Sequence, residues 1–178
     1  MRAAVICAAA LAVSANARAT SLHLTDQTGR QFSVSSLQKP AIVTFVSMHC
    51  ADVCPIINGQ FALLQQRIAS SKLNVSLVTV TLDPEKDTLL DMRRTAQQFR
   101  ADPRLWKFVG GDPHEIHALM RRFAVSAVRG KRGYADQHTT FVYLLDRRGN
   151  LRRTMLASTN LTSAVFGELF HDWVALDR

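Results

Sequence analysis

The run Ala41-Ile42-Val43-Thr44-Phe45-Val46 constrains this chain more than any other segment. A strand with one wet face alternates apolar and polar residues, and this run does not alternate. It therefore predicts a central strand covered by helices on both faces. The segments that follow agree. Pro55 opens a helical stretch to about Ser71, with Ile57, Phe61, Leu64 and Ile68 recurring at helical spacing. Proline is tolerated there because a first turn does not use its missing N–H. Val75 to Leu82 reads as the next strand, and Asp87 or Thr88 caps a helix running to about Phe99. Leu105 to Val109 is a short strand, and Gly110-Gly111-Asp112-Pro113 turns into a helix through Ile116, Leu119, Met120 and Phe123.

The flanks complete the plan. Leu22 and Leu24, the turn Asp26-Gln27-Thr28-Gly29, then Phe32 and Val34 predict an N-terminal β-hairpin. A Gly- and Arg-rich loop spans Arg129 to Asp136. Thr139 to Leu145 and Leu151 to Leu156 are strands joined by a turn at Arg147-Arg148-Gly149-Asn150. A last amphipathic helix runs from about Thr162 to Val174, with Val165, Leu169, Phe170 and Trp173 on one side. Right-handed βαβ crossovers give parallel pairing, and the late hairpin adds antiparallel strands. The expected class is α/β, a thioredoxin-like mixed central sheet flanked by helices. There are no internal repeats and no low-complexity tract.

At 178 residues the chain has room for one domain and a short targeting segment. Residues 1–19 have the anatomy of a secretory signal peptide. Arg2 supplies the positive start, Ala3 to Val13 is an apolar run of 11 residues, and Ala15-Asn16-Ala17 and Ala17-Arg18-Ala19 offer cleavage after 17 or after 19. Eleven residues are too few to span a bilayer that needs about 20. The mature domain, 20–178, is then exported or periplasmic. It has no run of 18 apolar residues, so it is expected to be soluble rather than transmembrane. The chain has three cysteines; Cys7 leaves with the signal, and Cys50 and Cys54 remain in an oxidising compartment. The net charge of +8 comes with arginine clusters. No aromatic interleaving accompanies them, so nucleic acid is not an expected partner. They read as a solvated basic surface, or as a face for an acidic partner or anionic lipid headgroups.

Chemistry concentrates in Val46-Ser47-Met48-His49-Cys50-Ala51-Asp52-Val53-Cys54-Pro55, which leaves the central strand and enters a helix. Sites in open α/β sheets form beyond the carboxyl ends of strands. Two cysteines four positions apart across a loop-to-helix junction can turn both sulfurs the same way, within disulfide reach. A helix N-terminus favours negative charge and lowers a thiol pKa from about 8.5. The pair is thus a dithiolate, a soft chelate or a disulfide.

With these residues the sequence resembles the SCO/SenC proteins, thioredoxin-fold copper-binding proteins that assist assembly of the CuA centre of cytochrome c oxidase. Their C-x-x-x-C-P pattern stands as Cys50-Ala51-Asp52-Val53-Cys54-Pro55. Their V-D-P-x-x-D block resembles Leu82-Asp83-Pro84-Glu85-Lys86-Asp87, and their D-H before a Y-L strand resembles Asp136-Gln137-His138 with Tyr143-Leu144. The likeness runs from about Ser21 to Trp173. It implies Cys50 and Cys54 as thiolate ligands and His138 as the imidazole ligand. Two thiolates suit Cu(I), and the imidazole also permits Cu(II). Donor chemistry alone leaves zinc open, since Cys₂His with water is a known zinc set; the resemblance decides for copper. Two positions depart from the family: Ala51 stands where Pro is common, and Gln137 stands where Asp precedes the histidine. Asp136 is the nearby candidate to orient the ring.

The resemblance implies as partners the copper subunit of cytochrome c oxidase, a copper donor protein and a thioredoxin-like reductant. The reductant follows because an exported dithiol is driven toward disulfide. The rival function is an enzyme, a thiol–disulfide reductase with Cys50 attacking and Cys54 resolving. A redox or copper sensor would use the same site. Thioredoxin-type oxidoreductases use C-x-x-C and place a proline where His138 stands, so both features favour a metal site. Of the remaining candidates, His49 is expected at the mouth of the site, and His114 and His117 on a surface helix. Met48 is expected to pack, and Asp83 to fix a turn or support the copper loop. No Ser-His-Asp set, phosphate loop or paired-carboxylate motif stands out.

Overall fold

The computed structural model describes residues 24–157, 160–165 and 167. The run singled out above is strand β3, Ala41–Val46, and every residue of it is buried. It lies at the centre of the architecture because both its faces are covered. The strands before it are β1 (Leu24–Asp26) and β2 (Gln31–Phe32), and those after it are β4 (Ser76–Thr81) and β5 (Trp106–Gly111). Three helices interleave with them: α1 (Val53–Ser70), α2 (Leu89–Gln98) and α3 (Pro113–Arg122). Strands β6 (Ala127–Arg129), β7 (Ala135–His138), β8 (Phe141–Leu145) and β9 (Leu151–Leu156) complete the order.

The main sheet has seven strands in the order β2-β1-β5-β4-β3-β8-β9. β3, β4 and β5 are parallel, with Val43 opposite Val78 and Val78 opposite Lys107. β8 pairs antiparallel with β3, and β1 antiparallel with β5. Side chains of alternate parity go to opposite faces. On one face Ile42, Leu77, Trp106, Phe108 and Val142 meet Ile57, Phe61, Leu64 and Ile68 of α1 and Met92 of α2. On the other, Val43, Phe45, Val78, Val80 and Tyr143 meet Ile116, Leu119 and Met120 of α3. The buried Trp106 indole donates to Thr79 Oγ1 at 2.9 Å, so its polar edge is satisfied. This is the expected α/β thioredoxin-like arrangement.

Local differences have local causes. α1 begins at Val53, two residues before Pro55, which leaves the proline in the first turn and needs no donor from it. Thr88, not Asp87, caps α2, in a reciprocal capping box with Asp91. The expected loop at Arg129 to Asp136 is instead the turn, with the adjoining ends of both arms, of a separate two-stranded hairpin, β6–β7. Its strands are largely exposed, so no apolar alternation announced them. Residues 161–165 and 167 are helical, and Leu161 and Val165 pack with the α1 face. Leu22, the expected signal segment 1–19, Leu169, Phe170 and Trp173 lie outside the described residues.

Candidate metal centre

β3 delivers the chain to the site and α1 carries it away. Between them Ser47 is buried, and the Cys50 amide donates to the Ser47 carbonyl at 3.3 Å, folding the loop back. Cys50 is half-buried, whereas Cys54, at the second position of α1, is buried; both are free thiols. Burial pushes the Cys54 thiol well above the ordinary cysteine range. Its hydrogen bond with Cys50 and the nearby charges of Cys50 and Asp83 add to this, against an opposing contact from the Ser47 backbone. The expectation that the helix N-terminus lowers this thiol is therefore corrected for Cys54. In the core the cost of desolvating a thiolate exceeds what a helix end supplies.

His138 ends β7 and returns to α1 across the fold. Its Nε2 lies 3.4 Å from Cys54 Sγ, and its Nδ1 lies 3.1 Å from the Thr139 carbonyl oxygen. A carbonyl only accepts, so Nδ1 carries the hydrogen and Nε2 presents its lone pair to the sulfur. The group that orients the ring is thus the Thr139 backbone. Asp136, the candidate from sequence, instead lies over Gly130, where any Cβ would collide with its carboxylate. Gln137 is exposed.

The structure brings the three predicted residues together pairwise, Cys50 to Cys54 and Cys54 to His138. Among the described residues, no three His, Cys, Asp or Glu side chains already surround a common point. The Cys54–His138 spacing still fits a shared ion. With bonds of roughly 2.3 Å to sulfur and 2.0 Å to nitrogen, donors this far apart subtend about 105°, close to tetrahedral. The gap between Cys54 Sγ and His138 Nε2 is where a soft cation would bridge the two donors.

The block at residues 82–87 joins both sides of the site. Asp83 is fully buried; its Oδ1 accepts from Arg129 Nη1 at 2.8 Å and from the Ala135 amide at 2.9 Å, while its Oδ2 has no partner. Asp83 thus holds the hairpin that carries His138, which is more than the turn-fixing role expected of it. Asp87 accepts from the Met48 amide at 3.2 Å and contacts His49 Nδ1 at 2.9 Å. Burial pushes the Asp87 carboxyl up despite its bonds from Thr81, Met48 and His49.

His49 sits at the mouth as expected, stacked on Tyr134 with ring centroids 4.5 Å apart. Met48 packs against the core. His114 is exposed on α3, and His117 pairs with Glu85 at 3.3 Å. Sequence reasoning missed Arg129, Tyr134, Glu85 and Lys86. One signal was available: acidic residues at alternate positions 83 and 85 call for a cation, and the basic 129–132 stretch supplies one.

A buried thiol, a half-exposed thiol and an oriented imidazole at a strand–helix junction define a thioredoxin-like protein with a soft-donor site. The SCO1/SenC family model matches residues 12–167, and the chain belongs to that family. The SCO2-like protein RP587 of Rickettsia prowazekii is 26% identical over 135 residues, 71% of this chain and 63% of that protein. The chain thus spans under two thirds of that relative's length. ScoI of Bradyrhizobium japonicum, solved with copper bound, is 28% identical with a TM-score of 0.69, covering 82% of this chain and 94% of that one. A SCO1/SenC family lipoprotein from Bacillus anthracis has the same fold, with a TM-score of 0.76 at 23% identity over 87% of this chain and 92% of that one. Among the described residues, no helix is long and apolar enough to cross a membrane.

Proposed function

We propose that this protein is an exported copper-binding chaperone that delivers copper during assembly of the CuA centre of cytochrome c oxidase. The observation that carries the reading is the approach of His138 Nε2 to Cys54 Sγ at 3.4 Å with Nδ1 already engaged. Family membership and the copper held by the Bradyrhizobium relative support copper over zinc. Cys50 and Cys54 bind Cu(I) as thiolates, releasing their protons, and His138 completes the site, above all for Cu(II). Half-buried Cys50 leaves one side open, so a recipient's ligands can enter as this protein's leave. The export signal at 1–19, with cleavage after 17 or 19, puts domain 20–178 in the periplasm or an equivalent compartment. The recipient is the oxidase copper subunit, the copper arrives from a donor protein, and a thioredoxin-like partner keeps the pair reduced.

The test is a titration of the anaerobically reduced protein with Cu(I) and Cu(II). One tight equivalent is expected, abolished by Cys50→Ser and by Cys54→Ser and weakened by His138→Ala. A wild-type protein that takes up no copper at submicromolar free metal would overturn the reading.

One observation favours a second reading, thiol–disulfide reduction: the half-buried thiol stands beside the buried one. The Cys50 thiolate would attack a partner disulfide and release one partner thiolate. Cys54 would then displace the second, leaving a Cys50–Cys54 disulfide and two electrons on the partner. Such exchange would survive His138→Ala, with little tight copper binding.

A further inference from the structure

The β6–β7 hairpin carries His138 outside the seven-stranded sheet and touches the core only through Ala135 and Ala127. Ala135 is its one buried strand residue. Apolar packing therefore anchors the hairpin only at Ala127 and Ala135, and polar contacts hold the rest of it. The hairpin is held by side chains from the turn at residues 83–87 and from the Cys50 loop. One oxygen of Asp83 takes both Arg129 of β6 and the Ala135 amide of β7, so it pins both arms. Arg129 Nη2 also reaches Glu85 at 3.0 Å. The pairing register shifts between Val128 and Arg129, a bulge of the kind that re-aims a side chain. Lys86 Nζ enters the hairpin turn, donates to the Arg132 carbonyl at 2.6 Å and lies 4.5 Å from the Tyr134 ring centroid. Tyr134 in turn stacks on His49, the neighbour of Cys50.

We propose that Tyr134 and Arg129 are positioning residues for His138: the clasp they form with His49, Asp83, Glu85 and Lys86 sets the hairpin so that the imidazole reaches Cys54. The inference rests on the copper reading for its consequence, though not for its geometry. A dithiolate alone retains Cu(I), so loosening the clasp removes the nitrogen donor and spares the sulfurs.

Two measurements on wild type, Tyr134→Ala, Tyr134→Phe and Arg129→Gln test it. In the reduced, metal-free protein, a nuclear Overhauser contact between the His138 ring and the Cys54 side chain is expected in wild type and Tyr134→Phe and lost in the other two. In Cu(II)-loaded protein, Tyr134→Ala and Arg129→Gln should lose nitrogen hyperfine coupling and bind Cu(II) about 10- to 100-fold more weakly, as when a ligand-orienting partner is removed. One Cu(I) equivalent should remain in both. Should Tyr134→Ala fail to fold, Tyr134→Leu keeps bulk, loses the flat face and carries the same outcomes. A wild-type Overhauser contact in the Tyr134 variant and in Arg129→Gln overturns the clasp, whether or not copper binds. A wild type that shows the contact but takes up no copper overturns the function and leaves the clasp standing.

Discussion

At the scale of the residue, two thiols of one motif have been made unequal. Cys54 is 1% exposed and its thiol is held protonated by burial, while Cys50 stands half-buried at the mouth. The thiolate is the reactive form, so exposure and protonation act in the same direction. Iodoacetamide at pH 8 should label Cys50 at least about tenfold faster than Cys54, read by mass spectrometry of the reduced protein. Equal rates would contradict the buried placement of Cys54. The imidazole of His138 is equally specified, because the Thr139 carbonyl leaves it one free nitrogen, the one facing the sulfur.

At the scale of the element, the hairpin shows how a polar segment acquires a defined shape. Gly130 leaves room that the Asp136 carboxylate fills, so a Cβ there would have to push that exposed side chain aside. Gly133 has φ +77°, and a Cβ on it would lie 2.9 Å from Lys86 Nζ. Gly130→Ala should lower stability by about 1 kcal/mol, the bottom of the range for overpacking because the displaced carboxylate is exposed, in urea unfolding. Asp136→Ala in the same chain should restore most of it, because the colliding carboxylate is then gone. No rescue would mean that the backbone at 130, not the contact with Asp136, demands glycine.

At the scale of the whole molecule, two tight turns tie strands of the sheet through buried carboxylates. Burial pushes the Asp26 carboxyl up, but bonds from Thr28, Lys107 and Arg30 outweigh it and hold the group below the usual carboxylate range. Asp146 behaves alike: burial pushes it up, and Asn150, Arg148 and Arg152 outweigh burial. A carboxyl lowered on folding contributes stability that is fully present above its unfolded value of about 3.9 and is lost as pH falls through the folded value. Asp87, raised by burial, has the opposite sign: its cost is full above its folded value and disappears as it protonates. The urea midpoint should therefore be nearly level from neutral pH to about 5 and fall below about 4. Asp26→Asn should flatten that fall and lower the neutral-pH midpoint. An unchanged acid limb in Asp26→Asn would remove Asp26 from the account.

The central parallel strands, the helices between them and the placement of Cys50 and Cys54 at a strand–helix junction were legible in the chain itself. Hydropathy period and punctuation are local, and a fully buried run has few alternatives. His138 as a partner of the thiols was readable through likeness to a family, since 84 residues separate it from Cys54 and no local pattern crosses that span. The hairpin, the tie between Asp83 and Arg129 and the stack of His49 on Tyr134 came from the tertiary structure alone. They are polar contacts between distant segments, which leave no periodicity. The same holds for the protonated state of Cys54: the helix end argued for a lowered thiol, and the burial that reversed it exists only once the core has closed around the sulfur.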